Sequence, residues 1–178
     1  MNEAVVYCSQ TGFTEKYARW LAEELDCVAT PFRMRSDVDL DTTDLLVFCS
    51  WFHAASIKGA RWLKKAMESH PNLSVIVLAT GATPMPGAGW STKDSINEAF
   101  ARTFPKSEYP DLPCFYCHGG YDFDKLGAAD KLAMRMFCKM HDKSEDPKER
   151  ETLAIMRKGF DGTRREYLAP LLEYVRTL

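Results

Sequence analysis

The sequence predicts a single α/β domain over residues 1–178, in which helices cover both faces of a parallel β-sheet. Short apolar runs, rich in β-branched and aromatic residues, alternate with amphipathic stretches along almost the whole chain. Strands that alternate with helices form parallel sheets joined by right-handed crossovers. The composition agrees, because 46% hydrophobic and 27% charged residues are typical of globular proteins and exclude disordered or repetitive chains.

The N-terminal part of the chain predicts two strands around one helix. Ala4–Cys8 is an apolar run followed at once by turn residues, which indicates a buried strand. Apolar side chains within Tyr17–Leu25 recur on one face at helical spacing. Cys27–Phe32 predicts a second strand near the edge of the sheet, because Pro31 has no N–H to donate. Asp37–Asp44 is an acidic connector to the next strand.

The middle of the chain predicts two central strands. Leu45–Cys49 is the most continuous apolar run, as expected of a strand buried on both faces. The loop Ser50–Ile57 follows, and an amphipathic helix begins near Ala60 and ends before Pro71. Val75–Leu78 predicts the second of these central strands.

A loop rich in glycine and proline, Thr80–Gly89, follows the fourth strand. Ser91 and Thr92 are candidate caps of a helix that extends to Phe104, where a proline stops it. Cys114–Cys117 predicts the fifth strand.

A helical insertion and a charged loop are expected at about residues 121–151, before a closing helix over Thr163–Thr177. The helix of this insertion, Lys125–His141, has basic residues along its length and large apolar ones at Leu126, Leu132, Met134, Met136, Phe137 and Met140. We favour packing on the core, because such stripes usually face a core. The alternative is a docking surface for a quinone, a protein partner or, peripherally, an anionic membrane. Asp142–Glu151 mixes both signs of charge and is expected to be solvated.

Ligands of open α/β sheets bind beyond the carboxyl ends of the central strands, where the loops after strands one, three and four should meet. The first of these loops, Ser9–Thr14, combines three hydroxyl side chains with Gly12 and opens the first helix. Free backbone N–H groups and the helix dipole point to the same spot, which suits a phosphate. The alternative is an ordinary Ser/Thr-rich helix cap. The loop matches neither a Walker A motif nor the dinucleotide fingerprint.

The segment Val5–Ala18 (VVYCSQTGFTEKYA) resembles the flavodoxin signature at two aliphatic positions, one aromatic position, Ser9, Gly12, Thr14 and Ala18. The order of strands and helices also fits that family. The resemblance implies a flavodoxin-like three-layer sandwich with a five-stranded parallel sheet in the order 2-1-3-4-5. Gly119–Leu126 (GGYDFDKL) and the helix after it are similar to a narrower branch, related to the menaquinone-dependent protoporphyrinogen dehydrogenases.

The resemblance implies FMN as the cofactor and assigns three groups of residues to it. The residues assigned to the FMN phosphate are those of the first loop, Ser9, Gln10, Thr11, Gly12, Phe13 and Thr14. The residues assigned to one side of the isoalloxazine ring are those of the second loop, Ser50, Trp51, Phe52, His53 and Ala54. The residues assigned to the other side of the ring are those of the third loop, Thr80, Gly81, Ala82 and Thr83. No aromatic residue occupies the usual stacking position of the third loop, and no catalytic residue is assigned.

The residues of the second loop support part of this assignment. Trp51 and Phe52 follow a central strand, where they could stack on a flat ring or cap the hydrophobic core. His53 could donate to a flavin carbonyl or ring nitrogen, or be an ordinary surface histidine.

The predicted function is an FMN-dependent oxidoreductase that transfers electrons or hydride, with protoporphyrinogen dehydrogenase chemistry as one form of it. The alternatives are a non-catalytic electron carrier and a flavin-free interaction module on the same fold. Flavodoxins that act as shuttles resemble one another in being strongly acidic, which steers them to redox partners. This chain has 23 basic and 25 acidic residues, a formal net charge of −2, which favours an enzyme or a dedicated partner.

The remaining patterns bear on the partners, the cellular location and metal binding of the protein. The charge balance argues against nucleic acid as a partner, and no apolar run is long enough for a signal peptide or a membrane span. A cytoplasmic protein with reduced cysteines is therefore expected, with a redox partner, a quinone or another small-molecule substrate, and a homodimer left open. Cys114–His118 matches a haem-attachment pattern, but Cys114 and Cys117 should face opposite sides of a strand. No metal site is predicted.

Overall fold

The computed structural model describes residues 1–53, 56–87, 92–141, 150, 153–154 and 158–178. Its strands are β1 (Glu3–Tyr7), β2 (Ala29–Pro31), β3 (Leu45–His53), β4 (Ser56–Ile57), β5 (Ser74–Gly81), β6 (Cys114–His118), β7 (Gly120–Tyr121) and β8 (Phe160–Asp161). Its α-helices are α1 (Phe13–Glu24), α2 (Ala60–Ser69), α3 (Lys93–Ala101), α4 (Ala128–His141) and α5 (Ala169–Val175). Short 3₁₀-helical segments cover Phe32–Asp37, Phe123–Lys125 and Arg165–Leu168.

Five strands form the parallel sheet, in the order β2-β1-β3-β5-β6. Because β4 pairs only with the end of β3, this is the predicted order 2-1-3-4-5 of the five principal strands. The three-layer sandwich is confirmed as well. Helices α1 and α5 supply buried residues to the cluster on one face, and α2 and α3 supply those on the other face.

The two core clusters follow from the alternation of side chains along the strands. In β3, Leu46 and Phe48 belong to one cluster, whereas Val47 belongs to the other. In β6, Cys114 packs against the first cluster and Cys117 lies in the second. The two thiols therefore face opposite sides of the sheet, as predicted, and cannot form a disulfide or share a metal ion.

Two strands extend further than the sequence indicates. The loop predicted at Ser50–Ile57 is wrong at both ends, because β3 runs on to His53 and Ser56–Ile57 form the short antiparallel strand β4. Likewise β5 runs to Gly81, and Trp51 of β3 pairs with Thr80 of β5. Ser50 and Trp51 pair with residues of β5, and Gly81 pairs with β6, so partners far away in sequence lengthen both strands beyond what local apolarity indicates. The site residues on them are consequently held by the sheet.

Other boundaries also differ from the prediction. The second strand is shorter than Cys27–Phe32, since Phe32 already starts a 3₁₀ segment. The closing helix is shorter than Thr163–Thr177 and begins with a 3₁₀ turn before Pro170, which fits the first turn of a helix because it needs no N–H partner there. Thr92 caps α3, its hydroxyl accepting from Ser95 N–H at 3.1 Å, while Ser91 lies outside the described residues.

The helix of the insertion, α4, does not pack into the core. It begins at Ala128, after a 3₁₀ turn, and every side chain described along it is half-buried or exposed. The favoured prediction of a core-packed helix is therefore wrong, because helical spacing shows that an apolar face exists but not what that face contacts. Most of the charged loop predicted over Asp142–Glu151 lies outside the described residues.

Candidate functional site

A cavity of about 490 Å³ opens beyond the carboxyl ends of β1, β3 and β5, where the sequence predicts the ligand site. Its volume lies within the range of about 300–1,000 Å³ that is typical of small-molecule sites. Ten of the predicted residues line it: Gln10, Thr11, Phe13, Thr14, Trp51, Phe52, His53, Thr80, Gly81 and Ala82. The other lining residues are Gly119, Gly120, Tyr121, Asp122, Leu126, Asp130, Ala133 and Met134.

The loop between β1 and α1 forms one end of the cavity. Gly12 adopts a left-handed conformation, with φ +94°, immediately before the helix, which a side chain would strain. The Ser9 hydroxyl accepts a hydrogen bond from Gly12 N–H at 3.1 Å and so fixes the turn from within. The N–H groups in the first turn of a helix have no partner within it and carry the positive end of its dipole. This end of the cavity can therefore hold an anion.

Thr14 and Thr80 tie this loop to the sheet. Both side chains are buried, and their hydroxyl oxygens lie 2.8 Å apart. Thr80 also donates to the carbonyl of Ser50 at 3.3 Å. The Thr14 hydroxyl thus has a structural partner, although the residue lines the cavity.

The end of β3 supplies an aromatic wall. The rings of Trp51 and His53 lie 4.9 Å apart, edge to face. Phe52 contacts Phe100 and Tyr116, with ring centroids 5.1 Å and 6.1 Å away. Phe52 is therefore anchored in the core, while Trp51 and His53 remain half-buried beside the cavity.

Five predicted residues do not line the cavity or cannot be placed. The Ser50 side chain is buried, and its hydroxyl donates to the Lys58 carbonyl at 2.6 Å, away from the cavity. The Thr83 carbonyl accepts from the Tyr116 hydroxyl at 2.5 Å, which fixes the third loop to β6. Ser9 and Gly12 shape the first loop from outside the cavity lining. Ala54 lies outside the described residues.

The sequence prediction misses the wall formed by the segment after β6. Gly120 approaches α1 so closely that a Cβ atom there would lie 2.6 Å from the Phe13 ring and would clash with the Phe160 carbonyl oxygen. The half-buried ring of Tyr121 follows it along this wall. The glycine pair after a strand was the available signal, because adjacent glycines indicate a close backbone approach.

Asp130 of α4 closes the cavity by bridging two of its walls. One carboxylate oxygen, Oδ1, accepts from His53 Nε2 at 3.0 Å, and the other, Oδ2, accepts from Gln10 Nε2 at 2.9 Å. The hydrogen bond from His53, followed by that from Gln10, lowers the pKa of the Asp130 carboxyl below its ordinary value. The carboxylate is therefore ionised near neutral pH and holds α4 over the site.

Two buried polar atoms near this end of the sheet lack a hydrogen-bond partner among the described residues, Gln10 Oε1 and His118 Nε2. Unpaired buried polar atoms are costly and usually have a reason. Gln10 lines the cavity, so its amide oxygen is available to a hydroxyl or N–H group of a ligand. Burial lowers the pKa of the His118 imidazole, which keeps it neutral at physiological pH.

Within the part of the chain that the structure describes, no group of three or more His, Cys, Asp or Glu side chains could hold a metal ion. None of its helices combines the length and apolarity needed to cross a bilayer. The described lining of the cavity combines aromatic and hydrogen-bonding side chains with one end that favours an anion.

Comparison with solved structures finds similarity to eleven chains, among them the following three. A candidate flavoprotein from Bacteroides uniformis ATCC 8492 gives a TM-score of 0.43 at 15% identity, over 66% of this chain and 88% of its own. A candidate flavoprotein from Bacteroides eggerthii DSM 20697 gives 0.42 at 19% identity, over 78% and 96%. The Trp repressor binding protein from Bacillus subtilis gives 0.40 at 11% identity, over 66% and 85%.

Comparison with curated proteins finds no match. The family described as the flavodoxin domain matches residues 4–148, which include the first loop, the sheet and α4. The family match covers well over half of the chain and agrees with the strand order and the position of the cavity. The chain therefore belongs to the flavodoxin domain family, and this membership indicates a flavin cofactor.

Proposed function

We propose that this protein binds FMN in the cavity beyond β1, β3 and β5 and acts as an oxidoreductase through it. The observation that carries the proposal is the pairing of an anion-binding helix end with an aromatic wall across one cavity. That combination matches a ligand with a phosphate at one end and a flat ring at the other. Membership of the flavodoxin domain family supports the same assignment.

The first loop fits the phosphate of FMN. Backbone N–H groups at the start of α1 and the half-buried Thr11 side chain provide donors at this end. The carboxylate of Asp130 stays paired with His53 and Gln10, so its negative charge is partly compensated. The unpaired Gln10 Oε1 would accept a hydrogen bond from a ribityl hydroxyl.

The aromatic wall fits the ring of the flavin. Trp51 from β3 and Tyr121 from β7 come from different elements and both line the cavity. Aromatic faces bind flat rings by stacking, and the half-buried indole and phenol leave such faces accessible. Tyr121 thereby offers the aromatic contact that the third loop lacks.

A bound flavin supplies the electron or hydride transfer, whereas this chain supplies binding, orientation and exclusion of water. The Thr14–Thr80 hydrogen bond fixes the first loop against the sheet. The contacts of Asp130 close the cavity under α4, and His53 brings a titratable imidazole to the wall where the ring is expected.

A second cleft, next to the proposed flavin cavity, favours an enzyme over an electron carrier. It measures about 840 Å³ and shares Phe13, Tyr121, Asp122 and Met134 with the proposed flavin cavity. A small-molecule substrate bound in it would lie next to the flavin. Oxidation of a porphyrinogen with a quinone as acceptor is the specific reaction that the similarity to the dehydrogenase branch suggests.

The proposal is tested by adding FMN to the purified chain and following the flavin fluorescence. We expect binding of one equivalent with quenching by the aromatic wall. In the Trp51→Ala variant, we expect weaker quenching but retained binding through the phosphate. Quinone-dependent porphyrinogen oxidation by the flavin-loaded protein then distinguishes the dehydrogenase from an electron carrier, which would bind FMN and show no turnover.

A further inference from the structure

Helix α4 has two chemically different faces. Asp130 and Met134 face the cavity and line it. On the opposite side, Leu132, Met136 and Met140 follow one another at intervals of four residues, with 60%, 59% and 78% of their surface exposed. These three side chains form a continuous apolar stripe on the outside of the molecule, here named the outer stripe.

Basic side chains border the outer stripe. Arg135 and Lys139 lie three residues after Leu132 and Met136, which places both on one flank of the stripe. Neither has a carboxylate within ion-pair distance among the described residues, and the Arg135 guanidinium rests 5.6 Å from the Phe123 ring centroid. Both residues also line the rim of the second cleft, so their positive charges lie between that cleft and the outer stripe.

We propose that α4 docks on the surface of an anionic lipid bilayer through the outer stripe. Leucine and methionine would enter the boundary between head groups and acyl chains, while Arg135 and Lys139 would contact lipid phosphates. Arginine and lysine at the edge of an apolar helical face are typical of helices that lie in the plane of the interface. The cavity-facing side of α4, with Asp130 in its hydrogen bonds, is left unchanged.

A second copy of the chain fits the same face less well. In a two-fold symmetric dimer the same patch meets itself, so Arg135 and Lys139 would approach their own copies, and no carboxylate among the described residues forms an ion pair with either of them. An anionic bilayer offers the complementary charge. It also adapts its shape to flexible methionine side chains, which suits a stripe in which two of three residues are methionine.

Docking is tested by sedimenting the full chain with phospholipid vesicles. We expect binding to phosphatidylcholine vesicles that contain about one-third phosphatidylglycerol, and much weaker binding to pure phosphatidylcholine. Met136→Glu should reduce the binding by about tenfold or more, because it places a charge where a methionine is inserted. Binding should also fall in about 1 M salt, which shortens the screening length to about 3 Å.

Val28→Glu is the matched control, because Val28 is 77% exposed but lies beside the edge strand β2. It should bind vesicles like the wild type, and both variants should unfold at the wild-type urea concentration. Equal binding by Met136→Glu and the wild type, or no binding to anionic vesicles, would overturn the proposal. So would a concentration-dependent dimer in solution that Met136→Glu dissociates, since a second copy would then cover the stripe.

Discussion

The hydroxyl oxygens of Thr14 and Thr80 lie 2.8 Å apart in a buried position, although 66 residues separate them in the sequence. Thr14 belongs to the first turn of α1, and Thr80 to the carboxyl end of β5. Their hydrogen bond joins the loop proposed to bind phosphate to the centre of the sheet. The end of the cavity that we propose to bind an anion is therefore held in place by the core of the protein.

Replacing Thr14 with valine should lower the free energy of unfolding by about 1–3 kcal/mol, because the Thr80 hydroxyl then loses a buried partner. Urea unfolding measures this cost. The double variant Thr14→Val/Thr80→Val should cost less than the sum of the two single variants, because it removes both polar groups together. Strict additivity would show that the two hydroxyls do not interact.

Gly120→Ala should destabilise the protein by about 1–3 kcal/mol, because the new Cβ clashes with the Phe13 ring and the Phe160 carbonyl oxygen. Thermal or urea unfolding checks the prediction. Adding Phe13→Leu makes room at the ring but leaves the clash with the backbone oxygen, so it should restore little stability. Full restoration by Phe13→Leu would show that only the ring contact matters.

Asp130→Ala should release α4 from the cavity. The carboxylate accepts from Gln10 and His53, and losing these bonds should lower the local opening free energy by about 1–2 kcal/mol, or about 5- to 30-fold in exchange rate. Hydrogen exchange of the α4 amides at neutral pH measures it. Asp124→Ala is the matched control, because it removes the same charge beside α4 and its side chain makes no hydrogen bond in the described structure.

The contacts of Asp130 should also depend on pH. Because its hydrogen bonds lower the pKa of this carboxyl, their contribution is fully present above the unfolded pKa of about 3.9. It is lost as the pH falls through the lower pKa of the folded state. The exchange difference between wild type and Asp130→Ala should accordingly shrink as the pH falls below about 4. A constant difference at all pH values would contradict this origin of the contact.

His118 should make the fold less stable in mild acid. Burial lowers the pKa of its imidazole, so below the unfolded pKa of about 6.5 the unfolded chain binds a proton that the folded chain does not. Stability should therefore fall between pH 7.5 and 5.5, and fall less in His118→Gln. The free energy of unfolding is measured with urea at each pH. If it falls equally steeply with pH in the wild type and in His118→Gln, the acid sensitivity comes from other groups.

Thiol labelling should distinguish Cys138 from the core cysteines. Burial raises the pKa of the Cys49 and Cys117 thiols, and both side chains are fully enclosed in one core cluster. Cys138, half-buried on α4, should react at least about a hundredfold faster in the native protein. Because Cys27 and Cys114 are also half-buried, the comparison is made in a variant with both replaced by serine. There Cys138→Ser should abolish the fast phase, and a fast phase that persists would locate an opening elsewhere.

Local sequence patterns predict the sheet well. Apolar runs such as Leu45–Cys49 mark the strands, and the flavodoxin-like segment Val5–Ala18 places the first loop at the end of the sheet where the cavity is found. The extension of β5 to Gly81 is missed because pairing with distant residues creates it. The extension of β3 to His53 combines such distant pairing at Ser50 and Trp51 with a short hairpin to β4.

The covering wall of the cavity is harder to predict. Asp130 lies 120 residues from Gln10 and 77 from His53, and no periodicity connects residues so far apart. The position of α4 is missed for a related reason, since the apolar outer stripe has the spacing of a core-facing helix. The single-domain organisation, the cytoplasmic location and a redox partner remain predictions.

The most direct test of FMN binding compares the dissociation constants of FMN and riboflavin, which differ only in the phosphate. We expect FMN to bind at least about tenfold more tightly, because its phosphate reaches the N–H groups at the start of α1. Thr11→Glu should abolish that preference and leave riboflavin binding unchanged, because a carboxylate would then lie at the phosphate end. Equal affinity for both ligands, or binding of neither, would contradict the proposed site.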